Sequence, residues 1–128
     1  MPDTQLALKL IYRANIFVVN RVRSVLLLGR DDSNDIVVAS LFASRVHARV
    51  EARDGKFVLV DLSSNGTFVL LDEQRGEHAD AESAAQSTEV RLRQEEMVLA
   101  GRGWLGMGRS AVTHGDHSVR FSVQAEVG

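Results

Sequence analysis

Residues 46–62 read Val-His-Ala-Arg-Val-Glu-Ala-Arg-Asp-Gly-Lys-Phe-Val-Leu-Val-Asp-Leu. Val46, Ala48 and Val50 fall on one side of an extended chain, and His47 and Arg49 on the other. That is the period of two expected of a half-buried strand. Asp54-Gly55 supplies two residues that tolerate positive φ, as a tight hairpin turn requires, and Phe57 to Leu62 returns as an apolar, β-branched run. Strand, two-residue turn and strand set the local rule for the rest of the chain.

The same rule holds outward from this hairpin. Leu6, Leu8, Leu10 and Tyr12 alternate with Ala7, Lys9 and Ile11; a turn at Ala14–Asn15 leads to Phe17–Val19. Ser24–Leu28 is an apolar run closed by Gly29, and Ile36–Val38 is β-branched. Thr67–Leu71, Val90–Leu92, Met97–Leu99, Trp104–Met107 and Val119–Val123 complete the series. Eleven short strands separated by turns predict an all-β fold, an antiparallel β-sandwich of two twisted sheets. Between them, 72–89 is polar and rich in Ala, Glu, Ser and Gln, which reads as a long surface loop; 81–86 has the composition for a helical turn. No internal repeat or linker divides the 128 residues, so 1–128 is expected to be one domain.

Composition narrows the function. Fifteen Lys+Arg against seventeen Asp+Glu give a net charge of −2. No global basic field draws such a chain to nucleic acid or to an anionic membrane, so any anion site must be local. The absence of cysteine removes disulfides, thiolate metal sites and a thiol nucleophile. Met1–Asn20 is interrupted by Lys9, Arg13 and Asn15 and lacks a signal-peptide pattern, and no apolar run approaches a membrane span. The expected compartment is the cytoplasm.

Three short segments at strand ends carry the chemistry. They are Gly29-Arg30, Ser44-Arg45-Val46-His47, and Asp61-Leu-Ser-Ser64-Asn65-Gly66-Thr67. Loops of a β-sandwich cluster at its ends and can converge there. Arginine offers a planar fork of donors matched to phosphate oxygens, and serine hydroxyls donate to the same oxygens. Read from the residues alone, the cluster points to a phosphate carried on a peptide.

In this order and at this spacing, fourteen residues from Arg30 to Ser44 and eighteen from His47 to Asn65, the motifs resemble the signature of the forkhead-associated (FHA) domain. The resemblance implies an eleven-stranded sandwich that binds phosphothreonine peptides through the loops of one end. It further implies that Arg30 and Ser44 contact the phosphate, that Arg45 adds positive charge, that Ser64 faces the phosphothreonine and that Asn65 bonds the peptide main chain. His47 would brace the loops, with Gly29, Gly66 and Thr67 supporting them. Phe42, just before the Ser-Arg-Val-His segment, would read peptide residues C-terminal to the phosphothreonine and favour an apolar one. The implied partner is a phosphothreonine protein, a Ser/Thr kinase substrate or the kinase itself, within a larger signalling protein or complex. No cofactor or metal is expected.

The chain departs from the family at Leu70-Leu71, where relatives often carry Asn-Gly, and in the length of 72–89. Those departures keep open an alternative, a phosphate-independent interaction scaffold on the same sandwich, which an exposed apolar patch near Leu70, Leu71 or Phe42 would favour. Other motifs lack their context. Gly101-Arg-Gly103-Trp-Leu-Gly106 matches a dinucleotide fingerprint, but no helical period follows it; its glycines suit strand edges or bulges. His114-Gly-Asp116-His117 reads as a turn, and Asp31, Asp32 and Asp35 lack the closing Glu of a calcium loop. Ser44, His47 and Asp61 lack a nucleophile elbow, so the chain is expected to bind and not to catalyse.

Overall fold

The computed structural model describes residues 5–72, 89–112 and 115–126. Eleven strands form among them: β1 (Leu6–Tyr12), β2 (Asn15–Val19), β3 (Val25–Gly29), β4 (Ile36–Val37), β5 (Ala48–Arg53), β6 (Lys56–Asp61), β7 (Thr67–Leu71), β8 (Glu89–Leu92), β9 (Glu96–Leu99), β10 (Arg102–Met107) and β11 (Val119–Ala125). One sheet has the order β2-β1-β11-β10-β7-β8 and the other β4-β3-β5-β6-β9. The expected eleven-stranded sandwich is present.

The Asp54-Gly55 turn forms as its sequence requires. Asp54 and Gly55 have φ of 50° and 77°, and Arg53 sits opposite Lys56 across the hairpin. One pairing departs from a wholly antiparallel pattern: β3 and β4 run parallel, with Leu28 opposite Ile36. The loop between them doubles back along β3, because the Asp35 carboxylate accepts the Leu27 N–H at 2.7 Å and pairs with Arg23 at 2.7 Å. The chain must then run forward again as β4.

The alternation places the core between the sheets. Leu8, Leu10, Leu26, Leu28, Val50, Leu59, Val69, Leu105 and Phe121 are all fully buried there. Removing each such side chain from water contributes about 1.5–3 kcal/mol. A second, smaller cluster forms where Leu70, Trp104 and Ala111 pack together, with Val112 against them.

Several local expectations shift. The first turn is Arg13–Ala14, both with positive φ, one residue earlier than expected, and Tyr12 pairs with Asn15. Val46 does not share the buried side of Ala48 and Val50. It is 40% exposed while His47 is fully buried, because the chain bends before β5 begins and only from Ala48 does strict alternation hold. Gly103 and Gly106 lie within β10, between β11 and β7, not at an edge. A Cβ on Gly103 would come within 2.2 Å of the Leu70 carbonyl oxygen, and one on Gly106 within 2.1 Å of that of Arg109. These glycines permit close backbone approach. Leu70 is fully buried and Leu71 packs against the core, so neither supplies the exposed patch considered for a scaffold.

Residues 73–88 of the expected loop, the helical turn at 81–86 and His114 lie outside the described residues. Gly115–His117 forms a single 3-10 turn. Among the described residues no helix is long and apolar enough to cross a membrane.

Leu59, at the centre of β6, tests the core. Leu59→Ala should lower the unfolding free energy by about 2–5 kcal/mol in urea titration. A loss under about 1 kcal/mol would mean that the two sheets do not close over this position.

Candidate functional site

Strand register brings three loops to one end of the sandwich. β3 ends at Gly29, β5 begins at Ala48 opposite Leu28, and β6 ends at Asp61 opposite Ala48. The Arg30 N–H donates to the Ser44 carbonyl at 2.9 Å and the Asp31 N–H to the Arg45 carbonyl at 3.1 Å. Arg30 therefore lies directly beside Ser44-Arg45. The Asn34 side-chain amide ties this junction further, reaching the carbonyls of Asp31 at 2.8 Å and Arg45 at 2.6 Å. Gly29 leaves room for the approach, since a Cβ there would stand 2.2 Å from the Arg45 carbonyl oxygen. In the same loop, the Ser33 hydroxyl, with its backbone N–H, holds the Asp31 carboxyl below its ordinary range.

His47 joins the second loop to the third. Its Nδ1 accepts the Ser44 N–H at 2.9 Å, so Nε2 carries the proton and donates to the Gly66 carbonyl at 2.9 Å. Burial pushes the imidazole pKa below 6.5 against the opposing effects of that carbonyl and of Asp61. The ring is neutral and in one tautomer, which is what the two bonds demand.

The third loop is not a hairpin. β6 belongs to the five-stranded sheet and β7 to the six-stranded one, so Asn65-Gly66 crosses between sheets. Gly66 has φ of +92°, a region that side chains rarely tolerate. Asp61 organises the turn from beneath. Its carboxylate accepts the hydroxyls of Ser63 at 2.6 Å and Thr67 at 2.7 Å and the Gln94 N–H at 2.8 Å. Burial raises the Asp61 pKa, but these donors outweigh it and hold the carboxyl below its ordinary value. Thr67 is fully buried and acts here through that hydroxyl alone.

The Ser64 N–H donates to Ser44 Oγ at 3.2 Å. Ser44 Oγ is thus an acceptor toward its neighbour, and its own hydrogen can point outward to an anion. The Asn65 side-chain amide donates to the Phe42 carbonyl at 3.3 Å, and Arg91 from β8 donates twice to the Asn65 carbonyl, at 3.1 and 2.7 Å. Arg30 and Arg45 are exposed. Among the described residues their guanidinium groups make no ion pair. An exposed rim holding two arginines, a hydroxyl donor and a side-chain amide can receive a doubly charged, three-oxygen group.

The structure brings Arg30, Ser44, Arg45, Ser64 and Asn65 to this rim, with Gly29, His47, Gly66 and Thr67 beneath or between them and Phe42 at one side. It does not assemble Ser44, His47 and Asp61 into a relay. His47 Nδ1 meets the backbone of Ser44, not its hydroxyl, and the Asp61 carboxylate is taken by Ser63, Thr67 and Gln94. Sequence reasoning missed Asn34, Arg91 and Gln94. Each acts on the carbonyl or carboxylate of a residue 11 to 33 positions away, and no local motif marks such long-range contacts.

The FHA domain model matches residues 26–98, which hold all three motifs. The chain belongs to the FHA domain family. No curated protein matches it. Among solved structures it is similar to FHA-1 of Mycobacterium tuberculosis Rv1747, at 18% identity and a TM-score of 0.62, covering 93% of this chain and 97% of that one. It is similar to Mycobacterium tuberculosis EmbR solved in complex with a low-affinity phosphopeptide, at 22% identity and a TM-score of 0.61; 98% of this chain is covered but only 26% of EmbR. A third domain, from a structural and functional study of phosphothreonine-dependent FHA interactions, shares 19% identity over 98% of this chain and all of that one, with a TM-score of 0.57. At such identities the likeness is one of fold.

The neutral buried imidazole has a consequence for pH. A base whose folded pKa is depressed favours folding above its unfolded value, so this contribution is complete above pH about 6.5 and is lost as pH falls from there through the folded pKa. Nitrogen-detected NMR should find His47 as the Nε2–H tautomer at neutral pH, titrating below the ordinary value of about 6.5, with unfolding free energy declining as pH falls from there. A His47 ring that protonates near 6.5 would contradict the bridging geometry.

Proposed function

We propose that this FHA domain is a phosphothreonine-peptide reader that mediates phosphorylation-dependent protein interaction. The observation that carries the reading is the Arg30, Ser44 and Arg45 rim. The loop bearing Arg30 is bonded to the loop bearing Ser44, both arginines are exposed beside a hydroxyl with an available hydrogen, and Ser64 and Asn65 close the third side. Arg30 and Ser44 take the phosphate, Arg45 adds a second charge, Ser64 flanks the phosphothreonine, and Asn65 bonds the peptide main chain. His47, Gly29, Gly66 and Thr67 keep the loops in place, and Phe42 contacts residues beside the phosphothreonine. Phosphothreonine, in preference to phosphoserine, is supported by family membership and by the phosphothreonine-dependent relative.

The domain spans the whole chain, 1–128. It works by binding, without catalysis, cofactor or metal, in the cytoplasm and within a larger signalling protein or complex. Its partner is a phosphothreonine protein, a Ser/Thr kinase substrate or the kinase itself.

Isothermal titration with peptides captured from an oriented phosphothreonine library tests this reading. Arg30→Ala should weaken binding by about tenfold or more while leaving the unfolding midpoint nearly unchanged, because a charge-assisted contact is lost at an exposed position. Dephosphorylated peptide should not bind. Equal binding of the phosphorylated and unphosphorylated forms would favour the phosphate-independent scaffold instead.

A further inference from the structure

A fourth loop reaches the same rim. It follows β10, and the Gly108 N–H donates to the Gly66 carbonyl at 2.9 Å. That oxygen also accepts from His47, so this loop is pinned to the atom that joins the other two. Gly108 has φ of +82°, and a Cβ there would stand 2.0 Å from the Phe42 carbonyl oxygen. The backbone is therefore pressed directly against Phe42. The next residue, Arg109, lays its guanidinium over the Phe42 ring, 4.7 Å from the centroid.

Arg109 is exposed and Phe42 is 44% exposed. Among the described residues Arg109 makes no ion pair. The aromatic face orders the side chain without neutralising it, since the ring offers a quadrupole and not a counter-ion. The Phe42 carbonyl accepts from the Asn65 side chain, which places this ordered cation on the flank of the peptide-facing residue. The sequence expectation for Phe42 was an apolar neighbour. The ring is instead partly covered by a cation, which changes the chemistry offered to a ligand there.

We propose that Arg109, held on Phe42, makes this rim select phosphopeptides that carry an acidic side chain on the Phe42 side of the phosphothreonine. Arg109 takes this role only if the site binds phosphopeptides as read above. A preordered guanidinium loses less side-chain freedom on pairing with a carboxylate than a free one would.

The test uses phosphothreonine libraries in which each flanking position is varied between Glu and Gln. Wild-type protein should prefer Glu at one position by about twofold to fivefold, the upper range of a solvent-exposed charge pair. The preference should shrink as salt is raised from about 50 mM to about 500 mM. Arg109→Gln should bind the Glu and Gln peptides alike, and Arg109→Lys should keep part of the preference. Capture of phosphothreonine peptides with no Glu preference, or a preference that survives in Arg109→Gln, overturns the role of Arg109 and leaves the reader function standing. Failure of the folded wild-type protein to capture any phosphothreonine peptide overturns both.

Discussion

The carbonyl oxygen of Gly66 accepts two hydrogen bonds, from the buried Nε2 of His47 and from the N–H of Gly108. Three loops from two sheets depend on that oxygen. Through His47 Nδ1 the constraint continues to the Ser44 N–H, and through the Ser44 carbonyl to Arg30. A chain of hydrogen bonds through the His47 ring thus runs from the turn between sheets to the first arginine. Buried groups tied in this way are hard to leave unsatisfied, since each lost partner costs about 1–3 kcal/mol. The rim is consequently held in one arrangement before any ligand arrives.

That preordering separates the roles of the residues. The side chains that face solvent, Arg30, Arg45, Ser64 and Asn65, contribute little to the closure of the sandwich and are available for recognition. Those beneath, His47, Asp61, Ser63 and Thr67, are buried and spend their hydrogen-bonding capacity on one another and on backbone groups. Binding energy need not be consumed in ordering the loops, which is the usual cost of loop-borne sites. Arg91 extends the same logic to the far side of Asn65, gripping its carbonyl while packing over Phe68 at 5.2 Å.

Leu70 falls at one of the two places where the sequence reading expects a departure from the family pattern. A polar residue there would face the Trp104 and Ala111 cluster. Leu70 instead joins Trp104 across the β7 and β10 pair and closes a small apolar layer on the six-stranded sheet. The role of Leu70 is therefore one of packing, and its side chain takes no part in the hydrogen bonds around Ser44, His47 and Gly66.

Much of this was legible without coordinates. Period-two alternation and the Asp54-Gly55 turn determine strands and a hairpin because side-chain direction and backbone φ are local properties. The three loop motifs identify the family for the same reason: the residue types and their spacing are in the chain itself. Sheet order, the parallel β3–β4 pairing and the exposure of Val46 were not legible, because they follow from which distant strand each segment meets. The same is true of Asn65-Gly66, a dipeptide that usually closes a hairpin and here crosses between sheets. Arg91 and Arg109 carry no motif at all. Their placement beside Asn65 and Phe42 is decided only when β8 and the end of β10 fold against the loops, since hydrogen bonds and cation–ring contacts depend on distance in space and not along the sequence.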